Sequence, residues 1–387
     1  MGNVQAHIGR RARIAGFDVE VTKYLGEGGS SFIFLVKDFS SGTPMVLKRL
    51  VADTNASFAW IQSEIDMNKR FRHNQIVEFY GSECISKGRE EREVFILMEF
   101  CPFGHLYDAM KQMQGKRFSE IEVVKLFRSL CIPVQVLHHQ EPPVAHRDLK
   151  LENFLLAKNK VYKLCDFGSC VIGTQYLTKK EDRLRELEHV AKRTTAMYRS
   201  PELADVEGTA MFGAGELTHA VDIWAMGCIL YTLAFFKPPF PPEGLRTDRY
   251  VIPDTSPYSG NLHTLIARML TSDVEKRADI DHILDCCQAM LEQKPLPPIK
   301  GKMAAKTVFE QAKRDVAVKP VDLMNFDAPS NCQNSSGWSN APVESFASFA
   351  DFPSASAQKA PSTNPTNRSN AFDRFGDFDA SNVFAQK

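Results

Sequence analysis

The chain has 387 residues, 43% hydrophobic and 24% charged. At about 100–200 residues per domain this allows two or three domains, or one large domain with a tail. Its 47 basic and 47 acidic residues cancel, which argues against a chain built chiefly to hold a nucleic-acid backbone or an acidic membrane, because both need a basic surplus. The longest apolar run, 223–236, contains Gly227 and Thr232. It falls short of the ~20 residues a bilayer crossing takes and reads as a buried core helix.

The chain opens Met1-Gly2-Asn3 but carries Ala6 where the acylation pattern has Ser or Thr, and no apolar stretch of a secretory signal follows. Residues 1–16 are therefore expected to form a disordered leader. Nine cysteines with no C-x-x-C pair read as reduced thiols of a cytoplasmic protein.

Residues 17–100 read as strands interrupted by one helix. Residues 17–21 alternate, 32–36 and 94–100 are buried runs, and the helix is expected at about 56–71. Between two strand patterns lies Leu25-Gly26-Glu27-Gly28-Gly29-Ser30-Ser31-Phe32-Ile33. Glycines in such a hairpin let backbone N–H groups approach phosphates without a Cβ in the way, although a plain turn has the same look. Lys48 ends the next apolar strand, where it could reach nucleotide phosphates. Glu64, sixteen residues on, could pair with it from the helix.

After Gly104 the pattern turns helical, with Pro133 expected to kink the helix that contains it. The chemistry concentrates in His146-Arg147-Asp148-Leu149-Lys150-Leu151-Glu152-Asn153 and, eighteen residues after Asp148, Asp166-Phe167-Gly168. Asp148 suits the orientation of a substrate hydroxyl. Asn153 and Asp166 carry the oxygen donors that hold Mg2+ against a triphosphate. Ser200-Pro201-Glu202 closes the segment that Asp166 opens.

On these motifs residues 17–293 resemble the eukaryotic protein kinases of the Ser/Thr type. The resemblance implies an α+β, bilobal protein-kinase fold, with a small β-rich N-lobe and a larger helical C-lobe, using ATP and Mg2+. It implies that the 25–33 loop covers the phosphates, that Lys48 anchors ATP with Glu64 as its partner, and that Met98 is the gatekeeper, with Glu99 and Cys101 supplying hinge backbone to adenine. Asp148 takes the place of the catalytic aspartate, Lys150 neutralises the transferring phosphoryl group, and Asn153 and Asp166 are the metal ligands. Thr195 falls where the family has a threonine touching the catalytic Asp and Lys. Arg277 is expected to pair with Glu202, and Asp222 opens the central helix of the large lobe. The segments 164–170 and 194–202 resemble the Numb-associated (Ark/Prk-type) subfamily, which implies an extra helix between Glu202 and Asp222. Departures are Ser31 in place of the third loop glycine and Asn68 where the family packs an apolar residue, which is expected to loosen the helix of Glu64.

Composition shifts near residue 295 into a tail, 294–387, expected to be disordered: from 321 onward Val321, Leu323, Val343 and Val383 are the only Leu, Ile or Val. From 321 onward the tail still keeps eight phenylalanines. Leu323 and Phe326 lie in a stretch resembling a clathrin box, and Phe349-Ala350-Asp351-Phe352 and Phe375-Gly376-Asp377-Phe378 resemble peptides that bind the appendage domains of clathrin adaptors. These readings make protein substrates, adaptor subunits among them, and coat proteins the expected partners, with a cytoplasmic location peripheral at clathrin-coated membranes. A catalytically weak nucleotide-binding scaffold is the alternative.

Overall fold

The computed structural model describes residues 8–28, 31–88, 90–113, 116–213 and 215–299. Their contacts divide them into two compact units, 8–72 with 77–102, and 73–76 with 103–299. The tail motifs around Leu323, Phe326, Phe352, Phe375 and Phe378 lie outside the described residues, as do Gly29 and Ser30 of the glycine-rich loop.

The first unit is a six-stranded antiparallel sheet with one helix. In chain order it contains β1 (Arg11–Ile14), β2 (Phe17–Gly28), β3 (Ser31–Asp38), β4 (Pro44–Ala52), α1 (Asn55–Arg70), β5 (Phe79–Ser86) and β6 (Arg92–Glu99), and the sheet order is β1-β2-β3-β4-β6-β5. β1 corrects the expected leader. Ala12 and Ile14 alternate inward, and β1 pairs with β2 at Ala12↔Val19. Only two apolar positions mark this strand, too short a run to separate from a polar leader by pattern.

β2 runs past its expected end to Gly28 because two bulges, at 21–23 and 24–26, absorb the twist and keep it paired with β3. The period of two assigns the faces. Met45, Leu47, Phe95 and Leu97 fill one cluster with Val19, Val21, Phe34 and Val36, whereas Leu50, Ala52, Val94 and Ile96 meet Ile61 and Ile65 of α1 on the other face. A capping box between Thr54 and Ser57 starts α1, and Lys69 and Arg70 suit its C-terminal end.

The second unit is mostly helical. Its helices are α2 (Leu106–Lys111), α3 (Glu120–His138), α4 (Lys180–Arg193), α5 (Pro201–Ala204), α6 (Val206–Phe212), α7 (Ala220–Phe235), α8 (Gly260–Met269) and α9 (Ile280–Leu291). Short strand pairs join β7 (Val144–Ala145) to β10 (Val171–Ile172), β8 (Phe154–Leu156) to β9 (Tyr162–Leu164), and β11 (Gln175–Tyr176) to β12 (Glu216–Leu217). α3 begins with a Ser119–Glu122 capping box and continues through Pro133 as one helix. α7 is buried on every side and packs against α3 and α8, as its long apolar run anticipates. Gly227 permits that approach: a Cβ there would stand 2.8 Å from Leu270 Cδ2 and 2.9 Å from Met269 Cβ.

Between Asp166 and α7 the chain folds into α4, α5 and α6, which close over a cluster of Leu177, Val190, Leu203, Val206, Leu217 and Val221. α6 occupies the interval in which an extra helix is expected. The longer α4, before Thr194, is not anticipated by the sequence reading. No helix among the described residues is long and apolar enough to cross a membrane, and the cysteines among them form no disulfide.

Candidate active site

In the first unit, Lys48 shares a strand face with Leu50 and Ala52 and so points toward α1. Its ammonium donates to Glu64 Oε1 at 2.6 Å, with side chains only 12% and 4% exposed. Glu64 lies on the buried face of α1 with Ile61, Ile65 and Asn68. Asn68 is not a loose end, because its Nδ2 donates to the Glu64 carbonyl at 2.9 Å, one turn back. The amide is thus partnered inside the helix that it was expected to loosen.

The glycine-rich stretch spans the end of β2 and the start of β3, with Gly26↔Ile33, Glu27↔Phe32 and Gly28↔Ser31 as facing pairs. Leu25 and Glu27 are exposed, Ser31 is buried, and Phe32 and Ile33 are half-buried. A Cβ at Gly26 would meet nothing within 4 Å, so open space adjoins the backbone there. Met98 and Glu99 end β6 half-buried, and Cys101 follows them buried.

In the second unit, two strand pairs gather the remaining candidates. β7 precedes His146 and pairs with β10 at Val171↔Ala145, which brings 146–148 beside 166–170. β8 and β9 pair at Phe154↔Leu164, and Cys165 N–H donates to the Asn153 carbonyl at 3.0 Å. Asn153 and Asp166 therefore emerge from the same end of one hairpin.

Asp148 is 7% exposed and held on both oxygens. Thr195 donates to Oδ1 from its backbone N–H at 2.9 Å and from its hydroxyl at 2.6 Å, and Lys150 Nζ donates to Oδ2 at 2.6 Å and to Thr195 Oγ1 at 3.1 Å. Such charge-assisted bonds hold the carboxylate in one orientation. Asn153 Nδ2 donates to the Asp148 carbonyl at 2.8 Å, which commits the amide nitrogen and leaves Oδ1 as the atom turned toward a cation. Asp166 sits at φ 66°, a left-handed conformation rare outside glycine; the turn exposes its carboxylate while Phe167 is buried against His146. One carboxylate and one amide oxygen suit a hard divalent cation, so the residues present fit the metal that the sequence implies.

Behind these groups stands Asp222, fully buried at the start of α7. It accepts from the backbone N–H of His146 at 2.7 Å and of Arg147 at 2.8 Å, and meets His138 Nε2 at 2.9 Å. Burial works to raise its carboxyl, yet the His138 hydrogen bond and the charge of His138 and His146 outweigh it and hold the group below the ordinary carboxylate range. Arg277 grips Glu202 with two parallel bonds of 2.6 and 2.9 Å and also donates to the Ala220 carbonyl, tying α5 to α7 as expected. The sequence reading did not single out the contact of Asp222 with the 146–147 backbone, or the contacts of Arg147, Ser169 and Arg199 with α4. For α4 a signal was present in Leu184, Leu187 and Val190 at helical spacing, with acids early and bases late in 180–193.

Residues 19–287 match the protein kinase domain. The chain belongs to the protein kinase family. It is 34% identical over 305 residues to a probable serine/threonine-protein kinase of Dictyostelium discoideum, covering 77% of this chain and 26% of that protein. It is 35% identical over 292 residues to a second probable serine/threonine-protein kinase of the same organism, covering 73% of this chain and 36% of the relative. A protein kinase domain-containing protein of Schizosaccharomyces pombe is 35% identical over 284 residues, with 70% and 42% covered. The chain thus spans between a quarter and a little over two-fifths of the length of these curated relatives. A protein kinase domain implies ATP as phosphoryl donor, a divalent metal as cofactor and proteins as substrates.

Proposed function

We propose that this kinase transfers the γ-phosphoryl group of ATP to serine or threonine hydroxyls of protein substrates. The observation that carries the reading is the clamp on Asp148, whose two oxygens are held by Thr195 and Lys150. In this reading the carboxylate orients the attacking hydroxyl and takes up its proton. Lys150, two residues on, balances the charge that grows on the transferring group. Lys48, fixed by Glu64, serves the α- and β-phosphates, and the backbone of 25–33 covers them. A bound cation, Mg2+ being the choice, would be held by Asn153 and Asp166 and would neutralise phosphate charge. Met98, Glu99 and Cys101 serve adenine. Catalysis on this scheme is positioning and electrostatics, with no covalent enzyme intermediate. The probable serine/threonine-protein kinases among the relatives favour the hydroxyl-directed class.

The finer assignment is to the Numb-associated subfamily, supported by the 164–170 and 194–202 segments and by a helix, α6, between Glu202 and Asp222. With it goes a role in clathrin-linked traffic, which rests on the tail motifs at Leu323, Phe326, Phe352, Phe375 and Phe378. The test of the enzymatic reading is transfer of labelled γ-phosphate from ATP to a pooled Ser/Thr peptide set, with Asp148→Asn as control. Transfer that disappears in the variant supports the kinase. No transfer by the native chain leaves the nucleotide-binding scaffold.

A further inference from the structure

α4 lies between the metal-binding segment and Thr195, and its inward face is mostly polar: Glu186 and His189 are buried beside Val190 while Leu184 is exposed. Burying a carboxylate there demands a partner, and the partner is Arg147, the residue before Asp148. Its Nη1 donates to Glu186 Oε2 at 2.5 Å, with side chains 1% and 9% exposed. The Arg147 backbone is held at φ 65° and donates to Asp222, so the guanidinium projects from a fixed point.

Three further contacts join the C-terminal end of α4 to the site. Ser169 Oγ, just past Gly168, donates to the Arg193 carbonyl at 2.5 Å. The Arg199 guanidinium donates to the carbonyls of Val190 and Thr194 at 3.0 and 2.9 Å, placing a cation on the negative end of the helix. Thr194 leads directly into Thr195, whose N–H and hydroxyl hold Asp148. Glu186 is thus tied to Asp148 by two routes: through Arg147 along the backbone, and through α4 to Thr195.

In kinases whose activation segment is ordered by modification, a phosphate supplies the anion that an arginine requires. Here a carboxylate of the unmodified chain already does so. We infer that Glu186 is a positioning residue that neutralises Arg147 and fixes Thr195 against Asp148, so that the catalytic arrangement forms without phosphorylation of residues 169–200.

This inference rests on the kinase reading, and the test separates the two. The full chain is treated with phosphatase, its freedom from phosphate is verified by intact mass, and early rates of γ-phosphate transfer to the pooled peptides are followed beside those of Glu186→Gln. The phosphate-free native chain is expected to work at full rate from the first time point. Glu186→Gln is expected to lose about 10–100-fold in kcat with KM for ATP within about twofold, the split of a group that acts on the transferring step and not on nucleotide binding. A lag in the native chain that ends as phosphate accumulates overturns the inference. So does a variant with native kcat, or one whose loss lies in KM for ATP. Should Glu186→Gln fail to fold, the presence or absence of the lag decides alone. A native chain that transfers nothing under any condition instead sinks the kinase reading.

Discussion

Asp148 has no rotational freedom left once Thr195 and Lys150 are in place, and this sets what its replacement should do. Asp148→Asn keeps the size and removes the charge and the proton acceptor. Turnover should fall by about 10²–10⁴-fold, the usual weight of a positioned base, with little change in ATP affinity, as steady-state kinetics at varied ATP would read. His189 offers a second residue-scale test. Burial pushes its imidazole down from 6.5 to about 4, and the Arg147 and Arg193 guanidiniums add to the effect. Between these values the unfolded chain takes up a proton that the folded chain refuses. Stability should therefore fall as pH drops from about 6.5 toward about 4, by up to about 3 kcal/mol. His189→Gln should flatten that part of the profile, measured as the urea midpoint against pH, and an unchanged slope would assign the acid sensitivity to other groups.

Among the elements, α7 and α4 are built on opposite principles. α7 is apolar along nearly its whole length, Asp222 apart, and so belongs in the core, and at Gly227 it lies close against Leu270 and Met269. Gly227→Ala gains about 1 kcal/mol in helix propensity but drives a methyl into Leu270 and Met269, and such overpacking costs about 1–3 kcal/mol. The net expectation is a loss of about 1 kcal/mol in chemical denaturation; a stabilised variant would mean that α8 yields easily. α4 is highly charged, with Glu181 and Asp182 in its first turn and Lys192 and Arg193 in its last, and an ion pair from Arg183 to Glu207 at 3.2 Å fastens it to α6. Its inward face carries a carboxylate and an imidazole. The apolar spacing of Leu184 and Leu187 falls on exposed positions and does not mark the buried face, so the helix was not read from its sequence.

For the molecule as a whole, the trafficking proposal separates address from catalysis. The catalytic candidates all lie within 25–195, whereas the phenylalanine motifs lie in 321–387. On that proposal each motif alone would bind weakly, and several on one chain would raise the effective concentration of the next once the first is engaged. Truncation after Pro298 should abolish recruitment to coated membranes and leave peptide phosphorylation in vitro largely intact. Replacing Phe352, Phe375 and Phe378 by Ala should mimic much of that loss. Imaging of the tagged truncation is the direct check, and its persistence at coated structures would make the phenylalanines incidental.

The chemistry-bearing residues were legible in the sequence because their spacing is local. Asp148, Lys150 and Asn153 fall within six residues, and Asp166 lies on the far arm of a short hairpin whose apolar strands mark it. The run 223–236 likewise announced a buried helix from composition alone. The partners of buried charges were not legible. Nothing near Arg147 in sequence names Glu186, thirty-nine positions on, and nothing near His146 names Asp222 as the acceptor of its N–H. A charged side chain in an amphipathic stretch is usually solvated, and only the packed fold removes its water and forces it to find a counter-charge. Residue types and their order thus determined what chemistry the chain carries. The tertiary structure decided which distant groups hold that chemistry in place, because burial, a property of the whole packing, is what makes those pairings obligatory.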